Sequence, residues 1–184
     1  MQDISVLNSL LSDWENDECP EVQNFYIASQ KFQDELPQLL ETLRAKFKQA
    51  EQESPQFRER CNLFLEICRQ SINPKIEISG VYELLIQHIL AEGIVQALFQ
   101  KTQLYQTNNI AQEISAIIAT VFPESTHRNI LSSIEQYYRA IQLISEQITD
   151  IHTRQKFIAV IYKIFCRIYS SNMGINLRRK RLTV

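Results

Sequence analysis

The sequence is poor in residues that interrupt helices. Its 184 residues include only three glycines and five prolines, which favours long helices over strands joined by tight turns. The four cysteines, Cys19, Cys61, Cys68 and Cys166, form no CxxC pair and lack the spacing of a zinc site or a disulfide framework. We interpret them as reduced thiols, with Cys61 and Cys68 as small core residues on one helix face.

Motifs of several enzyme classes are also absent. The sequence has no GxxxxGK[ST] phosphate loop, no GxGxxG, no His-Glu-x-x-His and no Asp/Asn-Pro-Pro-aromatic tetrapeptide of amino-methyltransferases. No pair of carboxylates stands out as acid and base. We therefore predict no catalytic residue, no cofactor and no metal site. Of the three histidines, His88 lies on an apolar stripe, and we expect it to bond to a backbone carbonyl or a neighbouring helix.

Membrane and leader signals are missing as well. The N-terminus carries acids where a secretory leader would be basic, and no run of about 18 apolar residues occurs, so we expect a cytoplasmic protein without a membrane span. A net charge of -2 argues against a general attraction to nucleic acid. Basic residues crowd only the C-terminus, at Arg178, Arg179, Lys180 and Arg181. This run either contacts DNA phosphates, together with Lys156 and Lys163, or is a solvated terminus.

Apolar residues recur every three or four positions along most of the chain, which predicts helices. Pro37 predicts a kink or a fresh helix start capped by Asp34, and Gly93 predicts either close packing or a local kink. We expect an all-α fold, a single bundle of about six to seven helices over residues 1–172, followed by a poorly ordered basic tail over 173–184. The predicted helices cover about 1–14, 25–52, 55–71 with Ser54 as cap, a segment capped by Ser79, 109–122, 124–149 and 151–170.

Tyrosines fall on several of these helices. Tyr137, Tyr138, Tyr162 and Tyr169 do not alternate with basic residues as a platform for base stacking would. We predict that they pack between helices.

Two stretches carry a family resemblance: LIQHILAEGIVQALF, Leu85 to Phe99, and RQKFIAVIYKIFCRIYSSNMGI, Arg154 to Ile175. In this order they resemble the helical coupler domain of single-chain type I restriction–modification enzymes, the type ISP family. The Gln87-His88 pair, followed by an apolar run that closes at Ala97 to Phe99, is the most specific piece. The segments FQDELPQLLETLR, FLEICRQSINPKI and SIEQYYRAI are similar to further coupler helices.

The resemblance implies a function without chemistry of its own. In that family the coupler joins a helicase-like ATPase to an N6-adenine methyltransferase. The chain would then be a non-catalytic interaction module that links ATP-driven DNA translocation to methylation or cleavage. Its partners would be those two domains or subunits, with the DNA backbone as a further one. The motif positions would be structural: Gln87, His88, Phe99, Arg154, Gln155, Tyr162 and Phe165.

One departure bears on the extent of the match. The family continues after Gly-Ile with Tyr-Thr-Pro and the methyltransferase, whereas Gly174-Ile175 is followed here by Asn176 and the basic run. We therefore expect an excised coupler or a freestanding relative. The alternative hypothesis is a small helical DNA-binding protein that contacts phosphates through Arg178 to Arg181.

Overall fold

The computed structural model describes residues 20–99, 109–123 and 129–172, and within these ranges it contains helices and no strand. The predicted all-α bundle is therefore confirmed. The predicted helix over 1–14 and the basic tail over 173–184, with Arg178 to Arg181, lie outside the described residues. Within the described ranges, the α-helices with both ends defined are α1 (Pro20–Glu53), α2 (Pro55–Ser71), α3 (Ile78–Phe99), α4 (Asn109–Ala119), α5 (Glu135–Gln147) and α6 (Ile151–Asn172).

The first helix is longer than predicted and runs through Pro37 without ending. A fresh start capped by Asp34 is therefore wrong. Proline inside a helix costs about 3 kcal/mol because it removes one hydrogen bond and crowds the preceding turn. Here Pro37 is exposed, while leucines on both sides of it are buried on the inner face. Continuous packing of that face outweighs the local cost; its buried residues are Phe25, Phe32, Leu36, Leu39, Leu40, Leu43 and Phe47.

The second helix begins as its sequence predicts. The Ser54 hydroxyl accepts a hydrogen bond of 3.2 Å from the backbone amide of Phe57, and Pro55 occupies the first helical position. This arrangement satisfies one of the amides that a helix start leaves without a partner. The predicted inward residues of α2 are all buried: Phe57, Cys61, Phe64, Leu65 and Cys68.

The third helix is the central one. It begins at Ile78 rather than after a Ser79 cap, and the amides of Gly80 and Val81 donate to the carbonyl of Glu77 instead. Because α1, α2, α4 and α5 all pack on α3, it is buried on more than the single face that the sequence predicts. Tyr82, Ile86, Leu90 and Ile94 are buried as well as Val81, Leu85 and Ile89.

In the described part of the chain, α3 is also the one helix whose length and apolar composition would allow it to cross a membrane. Its position explains that composition. A helix packed by neighbours on several sides needs apolar residues around most of its circumference. Glu83 on the same helix is held by Arg44 and Tyr169 of two neighbouring helices, which identifies α3 as a core helix.

The predicted helix over 124–149 is interrupted. Residues 129–131 are helical, Ser132–Ile134 form a 3-10 turn, and α5 begins only at Glu135. The Ser132 hydroxyl donates a 2.7 Å hydrogen bond to the carbonyl of Asn129. Serine side chains that bond to the preceding turn compete with the helical ladder and tighten it locally. Residues 124–128 lie outside the described ranges.

The core is one continuous cluster built around α1 and α3. The Phe32 and Tyr137 rings stack at 4.4 Å with 6° between their planes, which joins α1 to α5. The Phe47 and Phe57 rings stack at 5.8 Å, which joins α1 to α2. Offset aromatic pairs of this kind contribute roughly 0.5–1.5 kcal/mol beyond the area that they bury.

Candidate functional site

A polar cluster ties three helices together at one end of the bundle. The Arg44 guanidinium of α1 donates twice to the Glu83 carboxylate of α3, with Nε–Oε1 at 2.6 Å and Nη2–Oε2 at 3.1 Å. The Tyr169 hydroxyl of α6 donates to the same carboxylate at 2.8 Å. The Gln87 side chain also hydrogen-bonds to Tyr169. We call Arg44, Glu83, Gln87 and Tyr169 the three-helix cluster.

The raised pKa values of Arg44 and Tyr169 indicate that the three-helix cluster stabilises the fold and does not exchange protons in catalysis. The hydrogen bond to Glu83 raises the pKa of Arg44, which stays charged. Burial, and then the hydrogen bond to Glu83, raise the pKa of Tyr169, so its hydroxyl remains a neutral donor. A group that exchanges protons in catalysis needs a pKa close to the working pH. Neither of these groups meets that requirement, and both hold the Glu83 carboxylate in place.

The Gln87-His88 pair contacts two different helices. Gln87 is exposed but reaches Tyr169 of α6. The His88 Nε2 atom lies 3.2 Å from the Ser115 hydroxyl of α4. Adjacent residues on a helix point about 100° apart. Gln87 can therefore contact α6 while the next residue, His88, contacts α4 on another side of α3. The prediction that His88 bonds to a neighbouring helix agrees with this contact.

Burial lowers the pKa of His88, and the nearby Glu92 only partly opposes the shift. The folded protein therefore keeps His88 neutral where the unfolded chain, near its ordinary value of about 6.5, takes up a proton. Below that pH the unfolded state binds more protons, so the free energy of unfolding falls as the pH falls from about 7.5 through 6.5 to the lower folded pKa.

We therefore expect His88→Gln to flatten the dependence of stability on pH in that window. As the pH falls, protonation linked to His88 should lower the free energy of unfolding of the wild type by at most about 1.4 kcal/mol per pH unit. This contribution should be absent from the variant. Urea unfolding at pH 7.5, 6.5 and 5.5 measures the difference. His152→Gln, an exposed residue of α6, is the matched control and should keep the wild-type slope. An unchanged slope in the His88 variant would contradict the assignment.

Cys61 and Cys68 are inert, buried thiols. Burial raises the pKa of Cys61 to about 12, and it also raises that of Cys68. A thiol needs a lowered pKa to act as a nucleophile at neutral pH. Within the described ranges, no group of three or more His, Cys, Asp or Glu residues could hold a metal ion.

A second polar cluster joins helix ends. The Arg154 guanidinium donates to the carbonyls of Ser145 at 3.3 Å and Ile148 at 2.9 Å, at the C-terminus of α5. The Ser145 hydroxyl donates to the carbonyl of Leu98 near the end of α3 at 2.9 Å. A cation at a helix C-terminus satisfies free carbonyls and the helix dipole. Arg154 therefore stabilises the C-terminus of α5 in this chain.

The remaining motif residues are not brought together. Phe165 is buried against the bundle, whereas Phe99 is 36 % exposed at the end of α3. Gln155 lies on the outer face of α6, and Tyr162 is 66 % exposed there, so the prediction that Tyr162 packs between helices is wrong. The other three tyrosines of that prediction do pack: Tyr137 on Phe32, Tyr138 on α3 and Tyr169 in the three-helix cluster.

Two contacts were missed by sequence reasoning. The Arg44–Glu83 ion pair joins residues 39 positions apart. Arg44 ends the segment FQDELPQLLETLR, but nothing in that segment predicts its contact with Glu83. Tyr138 lies directly over Gly93, and its hydroxyl donates to the carbonyl of Leu90 at 3.1 Å. The glycine inside an apolar helical pattern was the only signal for the second contact, and of its two interpretations close packing is correct.

Comparisons with known proteins agree with the motif resemblance. A family model described as "Type ISP restriction-modification enzyme, coupler domain" matches residues 26–153. A solved structure described as "cryoEM structure DrdV-DNA complex" is similar at a TM-score of 0.66 and 36 % identity, over 90 % of this chain and 16 % of that one. The curated proteins contain no match. The chain thus corresponds to a small part of a much longer protein.

Proposed function

Because the chain belongs to the coupler-domain family of type ISP restriction–modification enzymes, we propose that it holds a helicase-like ATPase and an N6-adenine methyltransferase at a fixed spacing and has no catalytic activity of its own. In this role it would pass the effect of ATP-driven DNA translocation to methylation or cleavage. The proposal includes a cytoplasmic location, where such enzymes meet DNA.

The observation that carries this proposal is the three-helix cluster. It fixes α6, three residues before that helix ends at Asn172, to α1 at Arg44, nine residues before that helix ends at Glu53. Arg44 lies 24 residues after Pro20, which corresponds to about 36 Å along a helix axis. The start of α1 and the end of α6 are therefore held well apart in the described bundle. A spacer that transmits force needs this kind of fixed separation.

The titratable groups with shifted pKa values serve packing and ion pairing: His88 is kept neutral, Cys61 is a buried thiol, and Tyr169 is a buried donor. The groove along α2 is lined by that helix alone and lies open on the surface, so it cannot enclose a small substrate.

Exposed apolar residues supply a docking surface for a neighbouring domain. Leu63 and Ile67 lie one turn apart on the outer face of α2, and they are 61 % and 44 % exposed. Apolar side chains grouped on an outer face commonly mark protein–protein contacts. We define Leu63 and Ile67 as the α2 patch.

Sedimentation velocity with separately produced ATPase and methyltransferase domains of a type ISP enzyme tests the proposal. We expect the full chain to associate with at least one of them, and Leu63→Asp/Ile67→Asp to weaken that association roughly tenfold or more. The matched control is Ile27→Asp/Leu143→Asp, which places two charges at exposed positions of α1 and α5. No association with either domain would count decisively against a coupler role.

A second candidate function, contact with DNA phosphates, is favoured by the charge of α6. This helix contains Arg154, Lys156, Lys163 and Arg167 and no acidic residue. The similar solved structure is a DNA complex, which supports the same candidate for this chain. If the basic tail makes the contact, deletion of residues 176–184 should lower the salt dependence of DNA binding by several units.

A further inference from the structure

Helix α6 differs in charge from the rest of the bundle. It carries four basic residues and no acidic one. In contrast, α1, α3, α4 and α5 each contain more acidic than basic residues. The protein as a whole has a net charge of -2, and α6 is the most positively charged of the described helices, since α2 has three basic residues against two acidic ones. Local fields of this kind recruit anionic partners even where the net charge does not.

The orientation of α6 determines which of its basic residues face outward. Phe157, Ile161 and Phe165 are buried against the bundle and fix the inner face. Arg154 is directed at the carbonyls that end α5. Lys156 and Lys163 are exposed on the opposite side, and among the described residues neither has an acidic partner within salt-bridge distance.

Two lysines seven residues apart lie two helical turns apart, so they share one face at an axial separation of about 10 Å. Tyr162 is exposed beside Lys163, and its phenolic hydroxyl can donate one hydrogen bond. Gln155 is exposed beside Lys156, and the small Ala159 lies between the two lysines. We define Gln155, Lys156, Tyr162 and Lys163 as the α6 basic face.

The composition of the α6 basic face favours phosphate over protein. Centres of protein–protein interfaces are depleted in lysine and enriched in large apolar side chains. The α6 basic face has two lysines, a glutamine and a tyrosine hydroxyl around an alanine. Lysine, glutamine and tyrosine are among the side chains that donate to phosphate oxygens along a DNA strand. The α2 patch, in contrast, has the apolar character of a protein contact.

We propose that the α6 basic face binds the phosphate backbone of duplex DNA. This inference rests on the second candidate function above and places the contact on α6 itself. Lys156 and Lys163 act as point charges on phosphates, and the Tyr162 hydroxyl donates a neutral hydrogen bond. Contacts to the backbone carry no direct sequence information, so the face would hold passing DNA without selecting a target.

Fluorescence anisotropy of the full chain with a labelled 20-base-pair duplex, titrated between about 50 and 200 mM salt, tests the proposal. Lys156→Gln/Lys163→Gln should lower the slope of log affinity against log salt by about 1.8, since each neutralised phosphate contributes about 0.9. Lys46→Gln/Lys48→Gln changes the net charge equally at two exposed positions of α1 and should leave the slope unchanged. Circular dichroism of both variants checks folding.

Tyr162→Phe separates the neutral contact from the charged ones. Removal of one hydroxyl donor should weaken binding by about two- to tenfold at every salt concentration and leave the slope as it is. A change in slope would mean that the variant disturbs the lysines, and no change at any salt would remove Tyr162 from the contact.

Three outcomes would overturn the proposal. Equal loss of slope in the α1 control would show a general effect of charge. An unchanged slope in Lys156→Gln/Lys163→Gln, with full loss on deletion of 176–184, would assign the contact to the tail. Binding of labelled polyglutamate as tightly as DNA, abolished by the same two substitutions, would indicate an acidic protein partner. The variant Leu63→Asp/Ile67→Asp should keep the wild-type slope of log DNA affinity against log salt. Failure of the coupler proposal can therefore be told apart from failure of the DNA-binding proposal.

Discussion

Tyr137→Ala is expected to lower the free energy of unfolding by about 3–5 kcal/mol, because it removes a fully buried aromatic ring and leaves a cavity. Tyr137 is 1 % exposed, stacks on Phe32 at 4.4 Å and lies 5.9 Å from the Phe25 ring. These contacts form the centre of the interface between α1 and α5. At roughly 2–4 °C per kcal/mol for a chain of this size, thermal unfolding should move down by about 6–20 °C.

Tyr137→Phe distinguishes the ring from its hydroxyl. Among the residues that the structure describes, the buried Tyr137 hydroxyl has no hydrogen-bond partner. A buried polar group without a partner costs about 1–3 kcal/mol, so its removal should leave stability unchanged or raise it by about 1 kcal/mol. Calorimetry and urea unfolding of both variants measure the two effects. A clear loss of stability in Tyr137→Phe would show that the hydroxyl has a partner.

Gly93→Ala is expected to destabilise the protein by about 2 kcal/mol, although alanine is intrinsically the better helix former by about 1 kcal/mol. A Cβ atom at Gly93 would lie 2.5–2.8 Å from three ring atoms of Tyr138, a separation at which something must move. The tyrosine ring cannot yield without loss of the 3.1 Å hydrogen bond from its hydroxyl to Leu90. Overpacking of this kind typically costs 1–3 kcal/mol.

A double-mutant cycle with Tyr138→Ala makes the Gly93 prediction sharper. Once the ring is removed, nothing opposes the Cβ atom, and Gly93→Ala should then stabilise the protein by up to about 1 kcal/mol. The sign of the substitution therefore depends on its neighbour. If Gly93→Ala destabilises equally in both backgrounds, the ring is not the cause and the glycine has another role.

Local sequence features predicted the parts of the fold that depend on near neighbours in the chain. Ser54 and Pro55 set the start of α2, and the apolar repeat set its buried face, because capping and periodicity act within a few residues. The Gln87-His88 motif, read by resemblance, led to the correct family. Pro37 was the exception: its local cost is real, but packing of the long α1 face outweighed it.

Contacts between distant parts of the chain could not be derived in the same way. Glu83 meets Arg44 and Tyr169 only because α3 is surrounded by other helices, and no spacing in the sequence encodes which neighbours those are. Tyr162 shows the opposite error. It continues an aromatic series on the last helix but faces solvent, since a step of one residue from Ile161 turns the side chain away from the core.

Pro37 removes one backbone hydrogen bond from the exposed face of α1 and leaves its buried face intact. Pro37 has no amide to offer the carbonyl of Gln33, and both residues are exposed, so water can satisfy that carbonyl. The missing backbone hydrogen bond therefore lies on the outer face of α1, while Leu36 and Leu40 pack the inner face against the core. If α1 bends, we expect the bend at Pro37, because a backbone hydrogen bond is missing there and the inner face is held by packing.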